Sequence, residues 1–156
     1  MKKIIGIGEY AASKSPDILV TLGLGSCVGV CIWDKNNKIG GLIHIMLPNS
    51  PNTNVTKPAK YADLGIKMLL DDIIKLGGKN FSAKIFGGAA MFKNSSMDVG
   101  YKNIISVKEQ LNKLGIKIIA EDTGGNRARS IEFNLENGEV MVKKVGGGEK
   151  VEIFKY

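Results

Sequence analysis

Short apolar runs separated by turn residues dominate the first third of the chain. Four such runs lie at residues 4–11, 19–24, 28–33 and 39–47. Each has the length of a strand and is bounded by glycine, proline or polar residues, which is typical of β-structure. The polar residues 34–38 between the third and fourth runs have turn chemistry, so the pattern predicts a hairpin there.

Two later segments show helical spacing. Residues 58–76 and 100–114 repeat apolar side chains every three or four positions, and each segment is followed by a glycine that favours helix termination. The apolar positions are Ala62, Ile66, Leu69, Leu70, Ile73 and Leu76 in the first, and Ile104, Val107, Leu111 and Leu114 in the second. Pro58 is acceptable in a first helical turn, where its missing N–H would have no partner anyway.

The remaining pattern adds short strands at residues 83–86, 117–120, 130–134 and 140–144. Asn137-Gly138 between the last two predicts a hairpin with a type I′ turn. Glycines 146–148 suggest a hinge, after which the last residues form an edge strand or a flexible tail over 146–156. Together these strands and helices predict one α/β (α+β) domain over 1–156. It would be a layered sandwich with a largely antiparallel mixed β-sheet core and two main helices.

Composition narrows the functional classes. The net charge of +7 comes from 22 Lys and Arg against 15 Asp and Glu, scattered along the chain. No basic stripe is interleaved with aromatic residues, so we expect no nucleic-acid binding, although a basic surface suits an acidic protein partner. No apolar run reaches the ~20 residues that a membrane helix needs, and no signal-peptide core is present, so we expect a cytoplasmic protein without membrane insertion.

The two cysteines point to a thiol rather than to a disulfide. Cys27 and Cys31 lie four positions apart. On one strand their Cα atoms would be about 13 Å apart, too far to bridge. Together with one histidine they also fall short of a structural zinc set.

Cys27 and His44 are candidates for nucleophilic catalysis. Cys27 follows a Gly-Leu-Gly-Ser turn at the start of a predicted strand, and His44, the single histidine, lies in the next predicted strand. A thiol needs a base to become a nucleophile near neutral pH, and an imidazole can accept its proton and later protonate a leaving group. The Gly25-Ser26-Cys27 turn would direct backbone N–H groups toward a developing oxyanion. On a neighbouring strand, Thr21 could accept a ring N–H bond and orient His44.

Hairpin register decides whether these side chains can meet. A loop centred between Asn36 and Asn37 places His44 opposite Gly29, which we expect to leave room for the ring. Cys27 is then a diagonal neighbour of His44 on the same face, about 7–8 Å away at the backbone. A shift of one residue would place the two on opposite faces.

The residues alone leave a second interpretation open. A cysteine in an apolar strand is commonly a small buried hydrophobe, the role we assign to Cys31. A lone histidine in a strand is commonly a hydrogen-bonded structural residue. Gly87-Gly88 and Gly124-Gly125 could form anion-binding nests, but we favour tight turns lining the site. Met46, Met91 and Phe92 could form an apolar groove or pack in the core.

The same residues resemble the CheD family of chemoreceptor glutamine deamidases. The resemblance follows almost the whole chain in order and is strongest in the combination of GLGSC with a GG-x-x-H strand that ends in MLP. It is carried by residues 5–9 (IGIGE), 21–27 (TLGLGSC), 39–44 (IGGLIH), 46–48 (MLP), 60–63 (KYAD), 84–89 (KIFGGA) and 121–126 (EDTGGN). The chain departs at Ala128-Arg129, where the family usually has Gly-Arg, and at 60–63, where it favours Arg-Tyr-Gly-Asp.

The resemblance implies a cysteine amidohydrolase that converts selected chemoreceptor glutamines to glutamate. By motif position, Cys27 would be the nucleophile, His44 the general base and acid, and Thr21 the residue that orients His44. No metal or organic cofactor is implied, and the family fold is an α/β sandwich similar to a bacterial deamidating toxin domain. The resemblance also implies a regulatory partner, the phosphatase CheC. The alternative is a non-catalytic regulatory module that docks on chemoreceptors or on CheC.

Overall fold

A computed structural model describes residues 1–52, 54–90 and 98–156. Within these residues the chain forms ten strands and two α-helices. The strands are β1 (Lys2–Ile5), β2 (Tyr10–Lys14), β3 (Ile18–Leu24), β4 (Val28–Asp34), β5 (Ile39–Ile45), β6 (Ser82–Gly87), β7 (Lys117–Thr123), β8 (Ala128–Asn134), β9 (Val140–Val145) and β10 (Glu152–Lys155). The helices are α1 (Ala62–Lys75) and α2 (Val99–Lys113), with a short 3₁₀ helix at Pro58–Lys60 before α1.

The strands form two five-stranded sheets. The first sheet has the order β1-β3-β8-β9-β10, and the second has the order β2-β5-β4-β6-β7. Each sheet is antiparallel except for one parallel pair, β1 with β3 and β6 with β7. The predicted layered α+β architecture with a largely antiparallel mixed core is therefore confirmed.

The expected single strand over 4–11 is wrong, because the chain changes sheet within it. β1 pairs with β3 in the first sheet, whereas β2 pairs with β5 in the second. Gly8 has a φ of +72°, a left-handed conformation that glycine adopts readily. The Gly6 N–H donates to Glu9 Oε1 at 2.8 Å, which closes the turn between the two strands.

Two apolar clusters define three layers. One cluster lies between the sheets and includes Leu19 and Ile131 of the first sheet and Leu42 and Phe86 of the second. The other lies between the second sheet and the helices, whose inward stripes are the predicted ones. The second sheet is therefore covered on both faces, and β5 has all seven residues buried. None of the helices in the described part of the chain is long and apolar enough to cross a bilayer.

The predicted β8–β9 hairpin forms, but its turn is not type I′. That turn requires positive φ at both central residues. Gly138 has a φ of +76°, but Lys38 is the only described non-glycine residue with positive φ, so Asn137 does not qualify. The Gly138 N–H donates to Asn134 O at 2.8 Å, and the Trp33 indole fills the space where a Cβ of residue 138 would lie.

The end of the chain forms an edge strand. β10 pairs antiparallel with β9, and Tyr156 exchanges two backbone hydrogen bonds of 2.9 Å with Val140. The Tyr156 hydroxyl also donates to Asp122 Oδ2. These contacts attach the last residues to β9 of the first sheet and to β7 of the second.

Candidate active site

The candidate site lies where the two sheets face each other. β3 of the first sheet carries Thr21, and β5 of the second carries His44. Thr21 Oγ1 and His44 Nδ1 are 2.7 Å apart, and both side chains are fully buried. The predicted pairing of threonine with histidine is therefore present as a hydrogen bond between the sheets.

A second contact of Thr21 determines the tautomer of His44. Thr21 Oγ1 is also 2.6 Å from Ile5 O, and a carbonyl oxygen can only accept, so the hydroxyl proton is directed there. The threonine oxygen must then accept from His44, which places the ring proton on Nδ1. Nε2 consequently carries the lone pair of a base.

Burial keeps this imidazole neutral. Desolvation lowers the pKa of His44 to about 4, because a charged ring would lose its hydration. His44 Nε2 is buried and has no hydrogen-bond partner among the residues that the structure describes. An unpaired buried ring nitrogen is costly, and it is a ready acceptor for a proton from a nearby donor.

Cys27 lies in the bend between β3 and β4 and is half-buried against the cluster between the sheets. Burial raises the pKa of its thiol. Since Nε2 has no partner in the described chain, the thiol and the imidazole are not hydrogen-bonded to each other. The resting site therefore contains a thiol and a neutral imidazole rather than an ion pair.

The hairpin register agrees with the sequence prediction, but the role of Gly29 does not. β4 and β5 pair Gly29 with His44 and Asp34 with Ile39, which leaves a four-residue loop. The expectation that Gly29 makes room for the ring is wrong. A Cβ there would lie 3.0 Å from Ile131 Cδ1 and 3.1 Å from Leu24 Cδ1, so the glycine makes room for side chains that pack between the sheets.

Glycine-rich turns line the loop that carries Cys27, as predicted. The Gly88 N–H donates to Cys27 O at 2.8 Å, and the Gly124 N–H donates to Gly87 O at 2.9 Å. Gly87 has a φ of +107°, and a Cβ there would collide with Cys27 O. These backbone contacts fix the position of the cysteine carbonyl.

Sequence reasoning missed Asn103, a fully buried residue of α2. Its Nδ2 donates to Ser26 O at 2.9 Å and to Met46 O at 3.1 Å. These carbonyls belong to the segments that carry Cys27 and His44. A detectable signal was present, because Asn103 lies four residues before Val107 and therefore on the apolar face of the helix.

Sequence reasoning also missed an ion cluster behind the site. Asp122 Oδ1 lies 3.1 Å from Arg129 Nη2 and 2.8 Å from Lys144 Nζ. Burial opposes the charge of Asp122, but hydrogen bonds from Lys144 and Tyr156 and the charge of Arg129 outweigh it and lower the pKa of Asp122. Arg129 pairs with Leu24 in the sheet register, so the cluster supports the strand that leads into the Cys27 loop.

Two further predictions concern the surroundings of the site. Met46 is partly exposed, whereas Met91 and Phe92, the other members of the expected groove, lie outside the described residues. Cys31 is buried between the sheets, as assigned. Within the described ranges, His, Cys, Asp and Glu side chains do not gather in groups of three that could hold a metal ion.

The fold and the site define a two-sheet α+β protein with a buried, oriented histidine and a nearby cysteine between its sheets. The chain belongs to the CheD family, described as CheD chemotactic sensory transduction, whose sequence model matches residues 46–144. It is 54% identical over 155 residues to the chemoreceptor glutamine deamidase CheD of Thermotoga maritima, covering 98% of each chain. Probable chemoreceptor glutamine deamidases of Desulforamulus reducens and Pyrococcus abyssi are 47% and 45% identical over 154 residues, covering 93–95% of the chains compared.

Proposed function

We propose that this protein is a chemoreceptor glutamine deamidase in which Cys27 is the nucleophile, His44 the general base and acid, and Thr21 the residue that orients His44. The observation that carries the proposal is the hydrogen-bond chain from Ile5 O through Thr21 to His44 Nδ1, which leaves Nε2 as a free acceptor. The names of the three relatives support the reaction class.

In the first half of the reaction, the Cys27 thiol gives its proton to His44 Nε2 and the sulfur attacks the side-chain amide carbon of glutamine. The carbonyl oxygen becomes an oxyanion in the tetrahedral intermediate. The imidazolium then protonates the amide nitrogen, the carbon–nitrogen bond breaks, and ammonia leaves. The product of this half is a thioester between Cys27 and the former glutamine side chain.

In the second half, His44 accepts a proton from water, and the hydroxide attacks the thioester carbon. The carbon–sulfur bond breaks, the sulfur recovers a proton from His44, and glutamate is released. A neutral imidazole suits both halves, because only the unprotonated ring can begin each of them. The pKa of about 4 keeps His44 in that form at neutral pH.

The resting thiol needs activation by the substrate complex. Burial is the one cause that raises its pKa, and no neighbouring charge lowers it. Hydrogen bonds in such sites are commonly long before substrate binds and shorten in the Michaelis complex. We therefore propose that docking of a receptor helix brings the thiol and Nε2 together.

The substrate of the proposed reaction is a protein surface. Receptor glutamines of this type lie on cytoplasmic helices, so we place the protein in the cytoplasm. The net charge of +7 would favour association with an acidic surface. CheC remains the regulatory partner that we infer from the family resemblance.

Mass spectrometry on a cytoplasmic receptor fragment tests the proposal. Incubation in ¹⁸O-labelled water should add one labelled oxygen to each converted glutamine and release ammonia. Cys27→Ala should abolish conversion, and Cys31→Ala is the matched control that should retain it. Full activity of Cys27→Ala would refute the assigned nucleophile.

The second candidate is a non-catalytic module that docks on chemoreceptors or on CheC. The raised pKa of Cys27 and the absence of a thiol–imidazole hydrogen bond in the described chain favour it. If the parent protein binds the receptor fragment without converting any glutamine, this interpretation replaces the enzyme.

A further inference from the structure

We propose that Asn103 is a positioning residue that aims the Cys27 N–H at the oxyanion, and this inference deepens the proposed function and rests on it. The relevant contacts are the two hydrogen bonds that its amide makes to Ser26 O and Met46 O. Asn103 itself is fully buried and cannot touch a protein substrate.

The peptide geometry links Asn103 to the reaction. The only cis peptide in the described chain is Ser15-Pro16, so the Ser26–Cys27 bond is trans. In a trans peptide the C=O and the N–H point in opposite directions. Holding Ser26 O toward Asn103 therefore turns the Cys27 N–H away from α2.

The layers show where that N–H points. α2 packs on one face of the second sheet, and the His44 ring reaches Thr21 from the opposite face. We infer that the Cys27 N–H faces the side of the sheet that holds the imidazole. No acceptor for it is present in residues 1–52, 54–90 and 98–156. A free backbone N–H beside the attacking sulfur is the usual donor of an oxyanion hole.

The amide orientation of Asn103 is unambiguous. A flipped side chain would place its oxygen against two carbonyl oxygens, so the nitrogen must face Ser26 and Met46. The side-chain oxygen is then buried without a partner among the described residues. Such a group costs about 1–3 kcal/mol, which stability alone would not favour at this position.

The Met46 contact makes the same residue a link between the two reacting groups. Met46 lies two positions after His44, and Ser26 directly precedes Cys27. The carbonyl oxygens of both residues accept a hydrogen bond from the same Asn103 amide nitrogen. One side chain thereby fixes the distance between the loop of the nucleophile and the end of the strand that carries the base.

Two reactions of Cys27 distinguish an effect of Asn103 on the oxyanion from a general effect of Asn103 on the stability of the fold. Acylation by p-nitrophenyl acetate passes through an oxyanion, whereas alkylation by iodoacetamide does not. Asn103→Asp keeps the size of the side chain but replaces the NH₂ donor. We expect it to slow acylation about 10- to 100-fold and alkylation less than about threefold. Asn103→Ala is the second variant, to be used if the aspartate variant does not fold. Its acylation should likewise be slowed far more than its alkylation.

Ser106→Ala is the matched control. Ser106 is buried on the same helix and donates to Asn49 Oδ1 at 2.9 Å, away from the Cys27 loop. It should lose comparable stability and keep the parent ratio of acylation to alkylation. On the receptor fragment, the Asn103 variants should lower kcat by the same factor as acylation and change KM less than about threefold.

The outcomes separate the two proposals. Equal loss of acylation and alkylation in the Asn103 variants, or parent-like acylation, would overturn the role of Asn103 even if the parent deamidates receptors. A parent that acylates at Cys27 but leaves receptor glutamines unchanged would refute the proposed function. The selective effect of Asn103 on acylation would then still support its role.

Discussion

Replacing Thr21 with valine tests whether Thr21 orients His44 for its proposed role as the base. Valine keeps the branched shape of threonine but lacks the hydroxyl that joins Ile5 O to His44 Nδ1. Both partners are then left in a buried region without their hydrogen bond. The ring is free to move its proton to Nε2, which would remove the acceptor that the proposed mechanism requires for the thiol proton.

The two lost contacts set the size of the effect. A buried group that loses its partner costs about 1–3 kcal/mol, so two such groups should lower the free energy of unfolding by about 2–6 kcal/mol. If the hydrogen bond to His44 stabilises the transition state by the same amount, about 1–3 kcal/mol, its loss should lower kcat about 5- to 150-fold. KM for the receptor should change little, because Thr21 is fully buried.

A direct measurement is ¹⁵N NMR of the imidazole, since His44 is the single histidine of the chain. The parent should show the Nδ1–H tautomer at neutral pH, and Thr21→Val should show a mixture or the Nε2–H form. Thr21→Ser keeps the hydroxyl and should retain both the tautomer and most of kcat. A valine variant with the parent tautomer and an unchanged kcat would refute the orienting role.

Three other predictions follow from burial and packing. Because burial lowers the pKa of His44 to about 4, the unfolded chain binds more protons between about pH 4 and about pH 6.5. Stability should therefore fall as the pH is lowered through that window, and His44→Gln should flatten this dependence in denaturant melts. Iodoacetamide should label Cys27 well before the buried Cys31 in the folded protein, and equal labelling would contradict the assignment. Gly29→Ala should lower stability by about 1–3 kcal/mol through overpacking against Ile131. A stable variant whose His44 is displaced would instead restore the explanation that the glycine makes room for the ring.

Local patterns predicted most elements, because their causes are local. The apolar stripes of both helices are buried as their spacing indicated, and the polar residues 34–38 form the β4–β5 loop. Where prediction was wrong, a distant contact had decided the structure. The run over 4–11 has the composition of one strand, but β1 and β2 have partners in different sheets. The turn at Gly138 depends on Trp33, which is remote in the sequence.

In the candidate site, too, some features follow from the local sequence and others from contacts between distant residues. The sequence by itself determined the candidate groups and their pairing: one histidine, a cysteine after a glycine-rich turn, and a register that pairs Gly29 with His44. Turn position and residue type are properties of neighbouring residues. Tertiary structure alone decided that Thr21 bonds Nδ1, that burial keeps the ring neutral, and that Asn103 holds the Cys27 loop. These contacts join strands of different sheets or a helix to a loop. Their energies depend on distances that exist only after the layers have packed.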